Sequence, residues 1–535
     1  MARRQQGGDA ECTGLLHAAH GEGHQRLPAA VVVPAYLVPG GHRRGAAEGG
    51  DLEAGTQQPP LHHHRQEGGG GGEGDTWGAA EGELEAGTQQ HRWWWWWCPR
   101  VARQHALVLR WGVASVAALV GVALLLFLVL QNLQRGASLA GVVAFVGVAT
   151  LASNNRPAIP WPTVAWGLGL QLGLGAVILY TEVGYLAFQW LGDGAAHFLA
   201  YSDVGAEFVF GAHFTDHYIA FKVLPTIIFF SSFISVMYHL GVVQVLVKGV
   251  AWVMVKTLDT SGAESLSCSA NIFVGQTEAP LVIKPFIALL TMSELHSVMA
   301  SGFATVAGGV MVAYMSFGIS PVHLISASVM SAPAALAMSK ILYPETETPV
   351  TQGTVKVTFA DSHEVNVIGA AAAGALSGGR LACNVLCILV AFLALIALVN
   401  GLLGAIGLLL HVPHLSVEWV LGWLMAPVAW LLGVPWGDCV AVGTLLGKKT
   451  VLNEFVAYLD LREMVDQQAI SQRAEIIATY ALCGFSNFSS MGVQIGGIGG
   501  ICPERQPDLA RLGLRALLAG SLACFLTACV AGLLV

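Results

Sequence analysis

Charge is scarce in this chain. Only 11% of its 535 residues are Asp, Glu, Lys or Arg, whereas 54% are hydrophobic. A soluble domain carries about 25% charged residues, so an ordinary water-facing surface cannot be built from this composition. The little charge present is acidic in balance, with a formal net of −8. Binding nucleic acid requires concentrated Lys and Arg, so nucleic acid is excluded as a partner. The ten cysteines include no C-x-x-C pair, so neither a disulfide scaffold nor a zinc ribbon is indicated. No HExxH or GxSxG occurs, which weakens an intramembrane hydrolase. Nothing at the start resembles a secretory signal. What remains is a mean hydropathy of +0.61, delivered in repeated apolar stretches. That is one polytopic membrane domain with something unlike it in front.

The front is residues 1–104. It holds a Gly run at 68–72, a Trp run at 93–97, and the block LEAGTQQ at both 52–58 and 84–90. Two copies without an apolar face cannot stack into a solenoid. Such composition buries too little apolar area to offset its ordering entropy, so the segment reads as disordered and low in complexity. His62, His63 and His64 read as part of that bias in preference to a metal site. Trp is encoded only by TGG and Gly by GGN, so adjacent runs of both fit a G-rich repeat read in two frames. Part of the segment is therefore read as a gene-prediction artefact.

From residue 106 onward the chain is membrane. Expected spans are 106–131, 138–153, 164–180, 223–247, 298–317, 322–342, 381–410, 417–432 and 512–535. Residues 185–201 are less apolar and read as a helix lying in the interface. Residues 344–374 turn polar, with Glu345, Glu347, Asp361, His363 and Glu364, then amphipathic. They read as a surface loop leading into a second interfacial helix. The domains are then 1–104 (front segment), 105–243 (N-terminal spans and interfacial helix), 244–345 (first repeat), 346–435 (interfacial helix and scaffold helices) and 436–535 (second repeat and last span).

Two apolar segments contain residues a plain span should not. Residues 250–290 carry Glu264, Asn271, Gly275-Gln276-Thr277-Glu278, Pro280, Lys284 and Pro285. Residues 439–461 carry Gly447, Lys448, Lys449, Asn453-Glu454-Phe455 and Asp460. A carboxylate at the bilayer centre costs at least about 2.5 kcal/mol, so it persists where it faces a partner or a polar cavity. Each segment reads as a re-entrant helix–turn–helix whose irregular backbone lines a cavity. Each is followed by an apolar helix with Gly, Ser and small polar residues inside, at 301–310 and 483–492. A broken hairpin with a Glu, then an interrupted helix, twice over, is the pattern of an internally repeated secondary transporter with its substrate at the midplane. Plainer roles stand beside this one. Gly308, Gly309 and Gly492 also suit helix–helix packing, and Glu278 and Glu454 also suit pairing with Lys284 and Lys449. His213, His217, His239, His296 and His323 suit proton relay less well than ordinary structural hydrogen bonding.

Gly275-Gln-Thr-Glu-Ala-Pro280, Ser293-Glu-Leu-His296, residues 302–310, Asn453-Glu-Phe-Val-Ala457 and Ala481-Leu-Cys-Gly-Phe-Ser-Asn487 together resemble the concentrative nucleoside transporters. The resemblance runs from about residue 154 to 535, and the spans before it are similar to the extra N-terminal helices of animal members. It implies an all-α polytopic membrane protein: an inverted-repeat transporter with two re-entrant hairpins and discontinuous helices, of elevator type. It also implies a sodium-driven nucleoside importer, a homotrimer in the plasma membrane in contact with lipid, with sodium as coupling ion and no other cofactor. By motif, Gln276 and Thr277 would bind the nucleobase, with Val310 packing on its face. Glu278, Glu454, Asn487 and Ser490 would hold the ribose hydroxyls and Phe485 would line the pocket. Sodium would sit at Asn271, Val274, Thr305 and Val306. Gly at 275 implies a broad or purine-tolerant pocket. Proton coupling is the alternative within this class, and a membrane enzyme using Glu278 and Glu454 as acid and base is the alternative outside it.

Overall fold

The computed structural model describes residues 133–353, 364–412 and 414–535. The front segment 1–104, the expected span 106–131, and Asp361 and His363 of the polar loop lie outside the described residues. Every regular element among the described residues is helical. A bilayer offers no water to backbone amides, so each segment must satisfy its own. Seven helical stretches among the described residues are long and apolar enough to cross a membrane.

The described residues open with α1 (Leu133–Leu151), α2 (Trp161–Gly175) and α3 (Glu182–Phe210). The expected interfacial helix 185–201 is the middle of α3, which runs for 29 residues. Thr181 caps its start by accepting from the Gly184 amide at 3.1 Å. Gly211, at φ 86°, ends it, a conformation that carries no Cβ penalty in glycine. The expected span 223–247 is also two elements. α4 (Leu224–His239) stops, Gly241 turns the chain at φ 83°, and α5 (Val242–Leu258) begins. Apolar residues on both sides of that turn hide it from hydropathy.

The first hairpin is α6 (Gly262–Ala270), a turn at 271–278, and a 3-10 segment, Ala279–Leu289, that contains Pro285. Its first limb is thus shorter than expected, because 250–258 belong to α5. After it come α7 (Met292–Ala304) and α8 (Gly308–Ser316), one span broken at 305–307. Capping boxes start both α6 and α7: Ser261 with Glu264, and Thr291 with Glu294. These satisfy amides that would otherwise be stranded in an apolar surround. α9 (Pro321–Leu342) follows and is buried along most of its length.

α10 (Val367–Leu409) corrects the expectation of a second interfacial helix. It is one helix of 43 residues, about 65 Å long at 1.5 Å per residue, roughly twice the hydrocarbon thickness. The amphipathic stretch is its first part, with no turn to separate it. α10 packs along α4. Gly374 and Gly378 allow this: a Cβ on Gly378 would lie 2.7 Å from the Ser231 Cβ. α11 (Val417–Leu432) lies where expected.

The second hairpin is α12 (Cys439–Val451) and α13 (Glu454–Asp466), joined at 452–453. α14 (Gln472–Leu482) and α15 (Phe488–Ile501) are its broken helix, interrupted at 483–487. α16 (Gln506–Leu534) closes the chain and packs on α7, α9, α14 and α1. The two breaks touch one another: the Phe485 amide donates to the Thr305 carbonyl at 3.3 Å.

Candidate functional site

Among the charges that marked the broken segments, several are paired inside the fold and two line a cavity. Glu264 accepts from the Ser261 amide at 2.9 Å and lies 2.9 Å from Lys340 Nζ on α9. Lys448 Nζ lies 2.6 Å from Asp460, and Lys449 Nζ donates to the Ala481 carbonyl at 2.8 Å. These groups are paired off inside the fold. Glu278 and Glu454 instead line a cavity of about 320 Å³. Neither makes the ion pair that a purely structural role suggested. Glu278 accepts from its own turn, the Gly275 amide at 2.8 Å, and Glu454 accepts from Tyr314 Oη at 2.9 Å and Asn487 Nδ2 at 2.7 Å. His296 and His323 face serine and tyrosine hydroxyls, of Ser339 at 2.7 Å and Tyr480 at 3.4 Å.

Four helical N-termini reach the cavity wall: those of the 3-10 segment at Gln276–Glu278, α8 at Gly308, α13 at Glu454 and α15 at Ser490. The start of a helix presents free amides and a partial positive charge, so this wall is rich in donors. Two of the starts are capped by side chains. Asn453 accepts from the Val456 amide at 3.0 Å, and Asn487 from the Ser490 amide at 2.7 Å. The two hairpin turns place carboxylate and amide side chains at the cavity: Gln276 and Glu278 from the first, Asn453 and Glu454 from the second.

Gln276, Thr277, Glu278, Val310, Glu454, Phe485 and Ser490 all line the cavity. Asn487, fully buried, stands behind Glu454 and holds it. Gln276 is 8% exposed, and its Oε1 is buried without a hydrogen-bond partner. Such an atom costs free energy unless a ligand supplies a donor. Val310 and Phe485 give the wall its apolar patches.

The expected sodium residues are also brought together. Asn271 Nδ2 donates to Ser301 Oγ at 3.1 Å, and Thr305 Oγ1 donates to the Ser301 carbonyl at 2.9 Å. Val306 is fully buried beside Thr305, and Val274 lines the cavity. Asn271 Oδ1 is buried with no donor facing it. An orphaned carbonyl oxygen at the tip of a hairpin, beside a helix break, suits a hard cation, which takes oxygen ligands. Ser301, which bridges Asn271 and Thr305, was not singled out in the sequence.

The opposite wall comes from α4 and α10, through Phe230, Ser231, Ser377, Arg380 and Asn384. None of these was expected. One signal was present, because Arg380 is the sole charged residue in the 43 of α10.

Comparison with known proteins agrees with this arrangement. Profiles of the Na+ dependent nucleoside transporter N-terminus, of a nucleoside-recognition gate, and of the Na+ dependent nucleoside transporter C-terminus match residues 140–213, 220–321 and 323–532. Solute carrier family 28 member 3 of Mus musculus is 43% identical over 454 residues, which is 81% of this chain and 64% of that protein. Sodium/nucleoside cotransporter 1 of Rattus norvegicus is 44% identical over 448 residues, 80% of this chain and 69% of that one. The chain thus spans a little under two thirds of the length of the mouse relative. Among solved structures, CNTnw in an inward-facing substrate-bound state is 41% identical with a TM-score of 0.70, over 74% of this chain and 97% of that one. A doubly substituted CNTnw in an outward-facing state is 40% identical with a TM-score of 0.72. Two hairpins, two broken helices and a donor-rich cavity between them are matched along nearly the whole described sequence. The chain therefore belongs to the family of Na+ dependent nucleoside transporters.

Proposed function

We propose that this protein is a secondary active symporter that imports nucleosides, driven by the sodium gradient, working in the plasma membrane as a homotrimer with one pathway per protomer. The observation that carries the reading is Glu454, a carboxylate only 4% exposed, held by two donors and still open to the cavity. A ribose presents neighbouring hydroxyl donors, and an ionised carboxylate is an acceptor matched to them. Gln276 offers both a donor and an acceptor to a nucleobase edge, and Val310 supplies apolar contact. Ser490 and Thr277 add hydroxyls beside these groups.

Sodium would bind Asn271 Oδ1 with oxygens freed at the break of residues 305–307. It would steady the turn 271–278, which carries Gln276, Thr277 and Glu278 toward the cavity. Ion and nucleoside then stabilise one arrangement of the hairpin, and each raises the affinity of the other by the same factor. The hairpins and broken helices would move as a body against α4 and α10. The names of the relatives favour sodium over protons and set aside an acid–base enzyme. The test is uptake of labelled uridine by a transport-null cell expressing the full chain. Sodium-dependent accumulation of chemically intact uridine is expected. Equal uptake with choline replacing sodium would defeat the coupling ion, and altered product would favour an enzyme.

A further inference from the structure

We propose that Tyr314 is a positioning residue that sets the orientation of Glu454 for ribose recognition, resting on the reading of the cavity as a nucleoside site. Tyr314 belongs to α8, in the first repeat, whereas Glu454 starts α13 in the second. Its side chain is fully buried and is not among the residues that line the cavity. The hydroxyl donates to Glu454 Oε1 at 2.9 Å. An ionised carboxylate only accepts, so the direction of this bond is fixed. Asn487 takes the other oxygen, Oε2, at 2.7 Å. One donor on each oxygen fixes the carboxylate plane and leaves lone pairs on both oxygens for a ligand, because a carboxylate has about four acceptor positions.

The ring of Tyr314 has no room to move the donor away. It packs 4.4 Å from the ring of Tyr458 and 6.0 Å from that of Phe455, the residue after Glu454. Tyr458 spends its own hydroxyl elsewhere, on the Thr479 carbonyl at 2.8 Å. Two buried tyrosines therefore pack against one another with their rings tilted by 32°, and only one addresses the carboxylate. Without the Tyr314 hydroxyl, Oε1 loses its fixed partner, and Glu454 is free to rotate away from the geometry that meets neighbouring hydroxyls. A ligand lacking those hydroxyls has nothing to lose.

The experiment measures KM and maximal rate of sodium-dependent uptake for uridine and for 2′,3′-dideoxyuridine, with the full chain at matched surface abundance. Tyr314→Phe is expected to raise KM for uridine roughly five-fold. KM for dideoxyuridine and both maximal rates should stay near their wild-type values. Tyr458→Phe, which removes a hydroxyl from the same aromatic cluster, should leave the ratio of the two KM values unchanged. A parallel rise for both ligands, or no rise for either, overturns the proposal and leaves Tyr314 as packing. Should Tyr314→Phe fail to reach the membrane, 3-fluorotyrosine at 314 is read instead, since it keeps the shape and donates more strongly. A change in the uridine value alone supports the proposal, and values that move together or not at all overturn it. A wild type without sodium-dependent uridine uptake overturns the nucleoside reading and the role of Tyr314 with it.

Discussion

Glu454 shows what one buried carboxylate in this fold must satisfy. It is 4% exposed, in a segment where charge is costly, and it is held by donors from α8 and from the break before α15. Replacing it with Gln changes more than the charge. One oxygen becomes an NH2 group, which must face either the Asn487 NH2 or the Tyr314 hydroxyl, now turned around. A charge-assisted bond to a hydroxyl is worth about 1.5–3 kcal/mol. Glu454→Gln is therefore expected to cut uridine uptake efficiency roughly 10- to 100-fold, read as Vmax/KM at equal surface abundance. Unchanged efficiency would remove Glu454 from the site. Lys449, by contrast, is spent on the Ala481 carbonyl, so its effect should appear in folding yield.

At the scale of elements, the two breaks at 305–307 and 483–487 are what make a site out of packed helices. They meet at Gly484, whose φ of 142° no L-residue readily adopts. A Cβ there would lie 2.8 Å from the Phe303 carbonyl oxygen and 3.0 Å from that of Ala304. Gly484→Ala is expected to cost about 1–3 kcal/mol of stability and to lower uptake with it. Gly492→Ala, one helical turn into α15 with no atom within 4 Å of its Cβ position, should leave melting temperature and uptake alone. Equal behaviour of the two variants in a thermal-melt assay would contradict the account of the break.

Much of this element order was legible in the residues, and for a physical reason. Glu278 and Glu454 break apolar segments that would otherwise read as spans, and the cost of charge in a bilayer turns each into a marker of a cavity. The ends of long helices were not legible. Gly241 divides an apolar run that is equally apolar on both sides, and α10 continues through a stretch whose amphipathicity suggested a separate helix. The wall given by α4 and α10 escaped notice because Phe230, Ser377 and Asn384 are unremarkable in a helix until its neighbour is known. Tyr314 escaped for the same cause. Its partner is 140 residues away in sequence.

At the scale of the whole molecule, α4 and α10 form one packed pair, and the hairpins with their broken helices face it across the cavity. Transport by movement of one body past the other requires that the contact between α4 and α8 be released in each cycle. A Cβ on Gly309 would lie 3.5 Å from Ser231 Oγ, so cysteines introduced at the two positions are neighbours across this contact. Oxidation of the Ser231→Cys, Gly309→Cys double variant should stop uridine uptake, and reduction of the same sample should restore it. Full transport by the cross-linked protein would rule out relative motion at this contact.

As proposed, a sodium gradient alone drives nucleoside movement through this chain. Purified protein in sealed proteoliposomes, given an inward sodium gradient and no other, tests it directly. Intact uridine should accumulate inside above its external concentration, and the accumulation should collapse when sodium is equal on both sides. Uridine that merely equilibrates under the sodium gradient, or that accumulates under a proton gradient without sodium, would contradict it.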